Sequence, residues 1–301
     1  MIATSRRRRQ LLRSSLLLST TLIFTVLSRA DEQHAVKGLV LKVDQPRHEI
    51  VVSCQAIPGY MDAMVMTFPV RDPQDLAGLV PGTMIEFTVV VDKDSSYARG
   101  VQIHGFQSLE QDPLTARRLA LMNGTLDPSQ SLSKILAVGQ PVPDFNLLDQ
   151  NQQKVRLSQF AGKVVAISFM YTRCPFPNYC FRLSNNFGLV QKRLRDQMGK
   201  QLILLSITFD PAHDKPEDLA KYGEIWHADP KAWHLLTGSP PDVQKVCHQF
   251  GMDFWLDEGL MIHALHTVII DRKGKLAANV EGNEFTADQL GDLIQTVLQR
   301  H

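Results

Sequence analysis

Two cysteines stand six residues apart in the stretch "YTRCPFPNYC", Tyr171 to Cys180, directly after the apolar run "KVVAISFM". Side chains between the C-terminal end of a strand and the start of a helix lie at the edge of a sheet. Cys180 falls in the first turn of the predicted helix, where the helix dipole and free N–H groups favour a thiolate, so we expect a lowered pKa there. Cys174 and Cys180 could form a redox couple, a soft-metal site or a structural disulfide. A disulfide that closes so short a loop would stabilise the fold only weakly.

The elements around this pair alternate between strand and helix. The sequence predicts a buried strand over 164–170, a helix over about 178–198, a second buried strand at "QLILLSITFD", two further helices, a strand pair turning at Lys273–Gly274 and a closing helix. This order predicts an α/β thioredoxin-like domain over 139–301. Cys247 shares one apolar helical face with Val243, Val246 and Phe250, so we expect it to be buried and inert.

A second group of sulfur atoms lies nearer the N-terminus, at Cys54, Met61, Met64 and Met66. Along a strand Met64 and Met66 point to the same face, and thioether and thiolate donors suit Cu(I). The alternative is that these methionines simply fill a core. Five short β-rich runs between residues 35 and 105 surround the group and predict a small all-β barrel, OB-like with five strands.

The bulk composition limits the classes of function. The chain has 301 residues, enough for two domains, with residues 106–138 expected as a linker containing a short helix. Its 32 basic and 31 acidic residues give a net charge of +1, so nothing in the charge suggests a general nucleic-acid binder. Four cysteines are too few for a disulfide scaffold.

Residues 1–30 have the pattern of an export signal. Arg6–Arg9 and Arg13 form a basic region, an apolar stretch spans 16–27, and Ser28 and Ala30 are small residues at the expected cleavage point. We expect a cleaved signal or a retained membrane anchor, and either would place the rest of the chain in the periplasm or another extracytoplasmic compartment.

The motifs "FMYTRCP", "LLSITFDPAHDKP" and "HALHTVIIDRKGKL" occur in this order, and together they resemble the SCO/SenC family of thioredoxin-like copper proteins. The resemblance implies a metallochaperone for cytochrome c oxidase assembly that binds Cu(I) or Cu(II) at Cys174, Cys180 and His263. His263 matches the family's histidine because it lies eight residues before Asp271. The family spaces its cysteines four apart, whereas here they are six apart, as in a longer-spaced branch.

Several alternatives remain open around this site. His266 could join Cys174, Cys180 and His263 in a tetrahedral zinc site, although the spacing is not that of a zinc ribbon or finger. A peroxiredoxin would share the fold, but its threonine and proline are out of register here. Asp210 and Asp214 match an acidic loop near the family's site, or they serve ordinary turn chemistry.

The stretch "IPGYMDAMVMTFPV" followed by "LAGLVPGTMIEFTVVV" resembles the CusF-type periplasmic copper-binding module over about 36–105. Met64 and Met66 match its two methionines, Met61 stands in the place of its tryptophan, and Cys54 stands near the place of its histidine. The resemblance implies a second copper site at these residues.

The sequence therefore supports an exported copper chaperone with a client such as a cytochrome oxidase subunit, and with a thioredoxin-like reductant as a further partner. One alternative is a thiol–disulfide oxidoreductase that uses Cys174 and Cys180 without an obligatory metal. Another is a copper-stress buffer without a dedicated client.

Overall fold

The structure is a computed structural model, and it describes residues 32–92, 95–105, 135–257 and 260–300. The export signal expected at 1–30 and most of the linker expected at 106–138 lie outside these ranges. Within them, no helix is long and apolar enough to cross a membrane. The chain from Glu32 onward forms one compact unit.

The first part of the chain folds into a five-stranded antiparallel sheet in the order β3-β2-β1-β4-β5. Its strands are β1 (Glu32–Asp44), β2 (Glu49–Cys54), β3 (Met64–Pro69), β4 (Met84–Asp92) and β5 (Ser95–Ile103). Alternate residues such as Val40, Val52 and Phe68 fill its core. An isolated bridge between Val70 and Ala98 brings the two edges of the sheet together. The predicted five-stranded β domain is confirmed, with a curled sheet rather than a continuous ladder around a barrel.

The second part is built on a seven-stranded sheet in the order β14-β13-β8-β9-β10-β6-β7. Its strands are β6 (Asn146–Asp149), β7 (Lys154–Arg156), β8 (Val164–Met170), β9 (Leu202–Thr208), β10 (Trp233–Thr237), β13 (His266–Ile270) and β14 (Leu276–Glu281). The helices are α1 (Arg182–Arg193), α2 (Pro216–Ile225), α3 (Pro240–His248) and α4 (Ala287–Leu298). A hairpin of β11 (Phe254–Asp257) and β12 (Leu260–His263), which the sequence did not predict, stands apart from the sheet.

Strands β8 and β9 form the centre of this sheet, and every residue of both is buried. Their continuous apolar runs suit strands covered on both faces. The parallel β8–β9–β10 core with antiparallel β13 beside it matches the predicted thioredoxin-like fold.

The two parts pack directly against each other, which the expected linker did not suggest. Leu39, Leu41 and Met84 of the first sheet are buried in the same apolar cluster as the core of the second part. Gly82 makes the close approach possible, because a Cβ at this position would lie 3.2 Å from the Cβ of Ala278. Its φ of +95° also favours glycine.

Candidate metal centres

The loop after β8 carries Cys174, as predicted. The Cys174 amide donates to the Tyr171 carbonyl at 3.3 Å, and this turn ends the strand. The chain then enters a π-helical turn, Pro177–Phe181, that contains Cys180 and leads into α1. All four cysteines of the chain are free thiols, so the disulfide interpretation of this pair does not describe this state.

The two thiols differ sharply in acidity. A hydrogen bond from Cys180 is the main cause that lowers the pKa of Cys174 to about 6, against the opposing effect of burial. The same hydrogen bond, together with burial, raises the pKa of Cys180 well above its ordinary value. Our expectation that Cys180 is the thiolate was therefore wrong. Cys180 is 0% exposed, and Cys174 is the more acidic of the two thiols.

The acidic loop after β9 holds the cysteine loop in place. The buried carboxylate of Asp214 accepts hydrogen bonds from the Thr172 amide at 3.1 Å and from the hydroxyls of Thr172 and Thr208, both at 2.5 Å. Asp210 pairs with Arg173 at 2.8 Å. Both aspartates thus anchor residues just before Cys174, which goes beyond turn formation within their own loop.

His263 ends β12 and lies among aromatic rings. Its Nδ1 is 2.8 Å from the Ala264 carbonyl, and because a carbonyl only accepts, Nδ1 carries the proton. Burial lowers the pKa of His263, so the imidazole is neutral at pH 7 and its Nε2 has the lone pair that a metal needs. The ring centroids of Tyr171, Tyr179 and Phe209 lie 6.0, 6.1 and 4.8 Å from that of His263.

The structure brings the two cysteines together but does not group them with His263. Among the described residues, no set of three His, Cys, Asp or Glu side chains is placed to hold a metal ion. Tyr171 contacts both the cysteine pair and His263. Its hydroxyl hydrogen-bonds Cys174, and its ring lies against that of His263. His266, the fourth donor of the zinc alternative, bonds Asn279 at 2.9 Å instead.

Sequence reasoning missed Tyr171 and Tyr179 as residues of this site. Their positions, three residues before Cys174 and one before Cys180, are visible in the sequence. Their contacts with His263 depend on the β11–β12 hairpin, which the sequence did not predict.

The first domain places its sulfur atoms on neighbouring strands. Cys54 pairs directly with Met64 across β2 and β3, and Val52 pairs with Met66. Opposite residues in such a ladder have Cβ atoms roughly 4.5–5.5 Å apart, on the same face. Cys54 is 1% exposed and Met64 is 49% exposed. Cys54, Met64 and Met66 therefore line one face, and Met64 faces solvent.

Met61 belongs to the turn that covers this end of the sheet. It forms a bridge with Ile57, and its side chain is partly buried against the core of the domain, as is that of Met66. Burial raises the pKa of Cys54 to about 12, so this thiol is protonated at pH 7. An unpredicted contact holds the turn: the ring of Tyr60 stacks on His34 at 3.6 Å.

Cys247 takes no part in either group. It is 0% exposed within α3, and burial raises its pKa. The prediction that Cys247 is buried is confirmed, and its inertness stays a prediction.

Two family models match this chain, one for each part. The model described as SCO1/SenC matches residues 137–299. This chain belongs to the SCO1/SenC family. The model described as copper binding periplasmic protein CusF matches residues 33–103, so a CusF-like domain precedes the SCO1/SenC domain. Both resemblances stated from the sequence are confirmed.

Individual relatives match about half of this SCO1/SenC chain, and this chain spans less than two thirds of protein sco1. Protein sco1 of Schizosaccharomyces pombe is 30% identical over 174 residues, which cover 54% of this chain and 63% of that protein. Peroxiredoxin Bcp of Escherichia coli is 26% identical over 175 residues, 55% of this chain and 97% of that protein. A crystal structure of a SCO1/SenC family lipoprotein from Bacillus anthracis has a TM-score of 0.48 at 25% identity and covers 54% of this chain and 100% of that one.

Proposed function

We propose that this protein binds Cu(I) at two sites outside the cytoplasm and delivers copper to the copper centre of a terminal cytochrome oxidase. The observation that carries the proposal is the presence of two separate soft-donor groups in one chain. One is the hydrogen-bonded thiol pair Cys174 and Cys180, and the other is Cys54 facing Met64 beside Met66. Thiolate and thioether sulfur select Cu(I) over hard cations.

At the site of the cysteine pair, Cys174 is the more acidic thiol, with a pKa of about 6, and Cys180 must lose its proton for both sulfurs to bind copper. The neutral His263 would supply a third donor through Nε2. Because Tyr171 contacts both Cys174 and His263, its ring and hydroxyl are the groups that must adjust when the three donors share an ion.

An anaerobic Cu(I) titration with a chromophoric competitor tests the proposal. We expect about two Cu(I) per chain, and about one after either Cys174→Ser with Cys180→Ser or Cys54→Ser with Met64→Leu. Cys247→Ser is the matched control, because this buried cysteine belongs to neither site. A stoichiometry unchanged by Cys174→Ser with Cys180→Ser would exclude copper binding at the thiol pair.

A second candidate function is thiol–disulfide exchange, favoured by the split acidity of the pair. The Cys174 thiolate would attack a client disulfide, form a mixed disulfide and release one client thiol. Cys180, after losing its proton, would attack the Cys174 sulfur and release the second client thiol. The client is thereby reduced by two electrons and the pair is oxidised, to be restored by a thioredoxin-like reductant. A reduction potential below about −300 mV would mark an inert structural disulfide and argue against this role.

A further inference from the structure

The strand end that carries Cys54 is bonded to helix α4 from both sides. Gln289 Nε2 donates to the Ser53 carbonyl at 2.8 Å, and the Ser53 hydroxyl donates to Asp292 at 2.7 Å. On the other side of Cys54, the side-chain Nε2 of Gln55 donates a hydrogen bond to Gln289 Oε1 at 3.5 Å. Since side chains alternate along a strand, Ser53 and Gln55 face α4 while Cys54 faces the core of the first domain.

The contact with α4 is enclosed rather than open to solvent. Ser53 and Gln289 are each 2% exposed. Arg193, the last residue of α1, pairs with Asp292 at 2.5 Å and fixes the carboxylate that Ser53 bonds. Arg193 can lie across α4 because residue 291 is glycine, where a Cβ would come within 2.7 Å of Nη1 of Arg193.

The segment leading into α4 also holds the start of α1, next to Cys180. The side chain of Asn283 donates to the carbonyl of Asn178 at 2.5 Å, and Arg182 donates to the Glu284 carbonyl at 3.3 Å. Asn178 and Arg182 each lie two residues from Cys180. One stretch of chain, residues 283–292, therefore touches the flanks of Cys180 and of Cys54.

We infer that residues 283–292 are a positioning element for the sulfur site at Cys54 and Met64, with Gln289 and Asp292 as the positioning residues. The last residues of a strand fray unless they are bonded. Fixing Ser53 and Gln55 keeps Cys54 in register opposite Met64, so a metal ion entering between them meets a preformed pair. The SCO1/SenC domain thus positions the sulfur site of the CusF-like domain and also carries the cysteine pair Cys174 and Cys180. The copper arm of the test below depends on the proposed function, whereas the alkylation arm does not.

The experiment uses the full chain with Cys174→Ser and Cys180→Ser, in which Cys54 is the remaining cysteine of the two proposed sites. Gln289→Ala is compared with Gln295→Ala, which removes an exposed glutamine from the same helix. In the metal-free protein we measure the rate at which N-ethylmaleimide modifies Cys54, by peptide mass spectrometry. We expect Gln289→Ala to raise this rate about fivefold, the effect of losing the buried hydrogen bond to the Ser53 carbonyl, and Gln295→Ala to leave it unchanged. Equal rates in the two variants would overturn the inference.

The copper arm measures Cu(I) affinity in the same variants by competition. We expect Gln289→Ala to weaken binding about fivefold while Gln295→Ala matches the parent. If the parent binds no Cu(I), the proposed function fails at this site, and the alkylation rates still decide whether α4 positions Cys54.

A double-mutant cycle at Ser53→Ala and Asp292→Ala guards against a variant that only loosens the fold. The two alkylation effects must be less than additive, because each substitution removes the same contact. Fully additive effects would mean that Ser53 and Asp292 act separately, and would refute the positioning role of Asp292.

Discussion

Removing the Cys180 thiol should change the acidity of Cys174 more than its reactivity at neutral pH. With a pKa of about 6, Cys174 is about 90% thiolate at pH 7, whereas a thiol at the ordinary value of 9.0 would be about 1% thiolate. The hydrogen bond from Cys180 is the largest cause of the lowering, and burial opposes it. In Cys180→Ala the pKa of Cys174 should therefore rise from about 6 towards 9.0.

The expected rates follow from two opposing effects. Losing the thiolate population alone would slow alkylation at pH 7 by up to about 90-fold. A thiolate of higher pKa is intrinsically more nucleophilic, and with a Brønsted coefficient of about 0.45 this recovers about 20-fold over the full range. The net change at pH 7 is only about fourfold, so a rate at a single pH cannot reveal the effect.

The assay is therefore a full pH profile of iodoacetamide alkylation, followed at Cys174 by peptide mass spectrometry. Wild type should show a midpoint near 6, and Cys180→Ala a midpoint displaced upward. Cys180→Ser is the matched control, because its hydroxyl still donates a hydrogen bond and should preserve most of the lowering. An unchanged midpoint in Cys180→Ala, or faster alkylation of Cys180 than of Cys174 in wild type, would refute the assignment of the thiolate to Cys174.

Two further substitutions test the packing around the sites by urea denaturation. Asp214→Ala leaves the Thr172 amide and the hydroxyls of Thr172 and Thr208 without their acceptor, so it should lower the free energy of unfolding by about 2–4 kcal/mol. The control Asp196→Ala, at an exposed position, should lower it by under about 0.5 kcal/mol. Similar losses for the two variants would contradict the anchoring role of Asp214. Leu41→Ala opens a cavity where the two domains meet and should cost about 2–5 kcal/mol, whereas Leu256→Ala, 69% exposed, should cost under about 0.5 kcal/mol. A small loss for Leu41→Ala would show that the domains do not share this core.

The elements that carry the sulfur atoms could be predicted because their signals are local. The apolar run over 164–170 became β8 with the same bounds, and the turn at Lys273–Gly274 separates β13 from β14. The protonation states could not be predicted in the same way. Cys180 does lie at a helix start, but its hydrogen bond to Cys174 and its burial raise its pKa, and both depend on how the whole chain folds.

The packing of the two domains against each other is indicated in the sequence by an apolar run in β1. In a sheet with one face in water, apolar and polar residues alternate. In β1, however, Leu39, Val40 and Leu41 are consecutive apolar residues, and all three are buried. Such a run indicates a strand covered on both faces, and its second cover is the SCO1/SenC domain. The specific bonds of Gln289 and Asp292 carry no such pattern, since they join residues more than 230 positions apart.

The thiols of the two domains differ in acidity, since burial raises the pKa of Cys54 whereas the pKa of Cys174 is lowered. Cys54, with a pKa of about 12, is protonated at pH 7 and is a poor nucleophile, and it is a free thiol at 1% exposure. Cys174 is ionised and has Cys180 beside it as a resolving thiol. In the proposed thiol–disulfide exchange, an oxidant or a client disulfide would therefore react first at Cys174, where Cys180 could resolve the product. Burial protects Cys54 from the same reagents, so under the proposed function the first domain would keep its thiol for metal binding while thiol redox chemistry stays in the second.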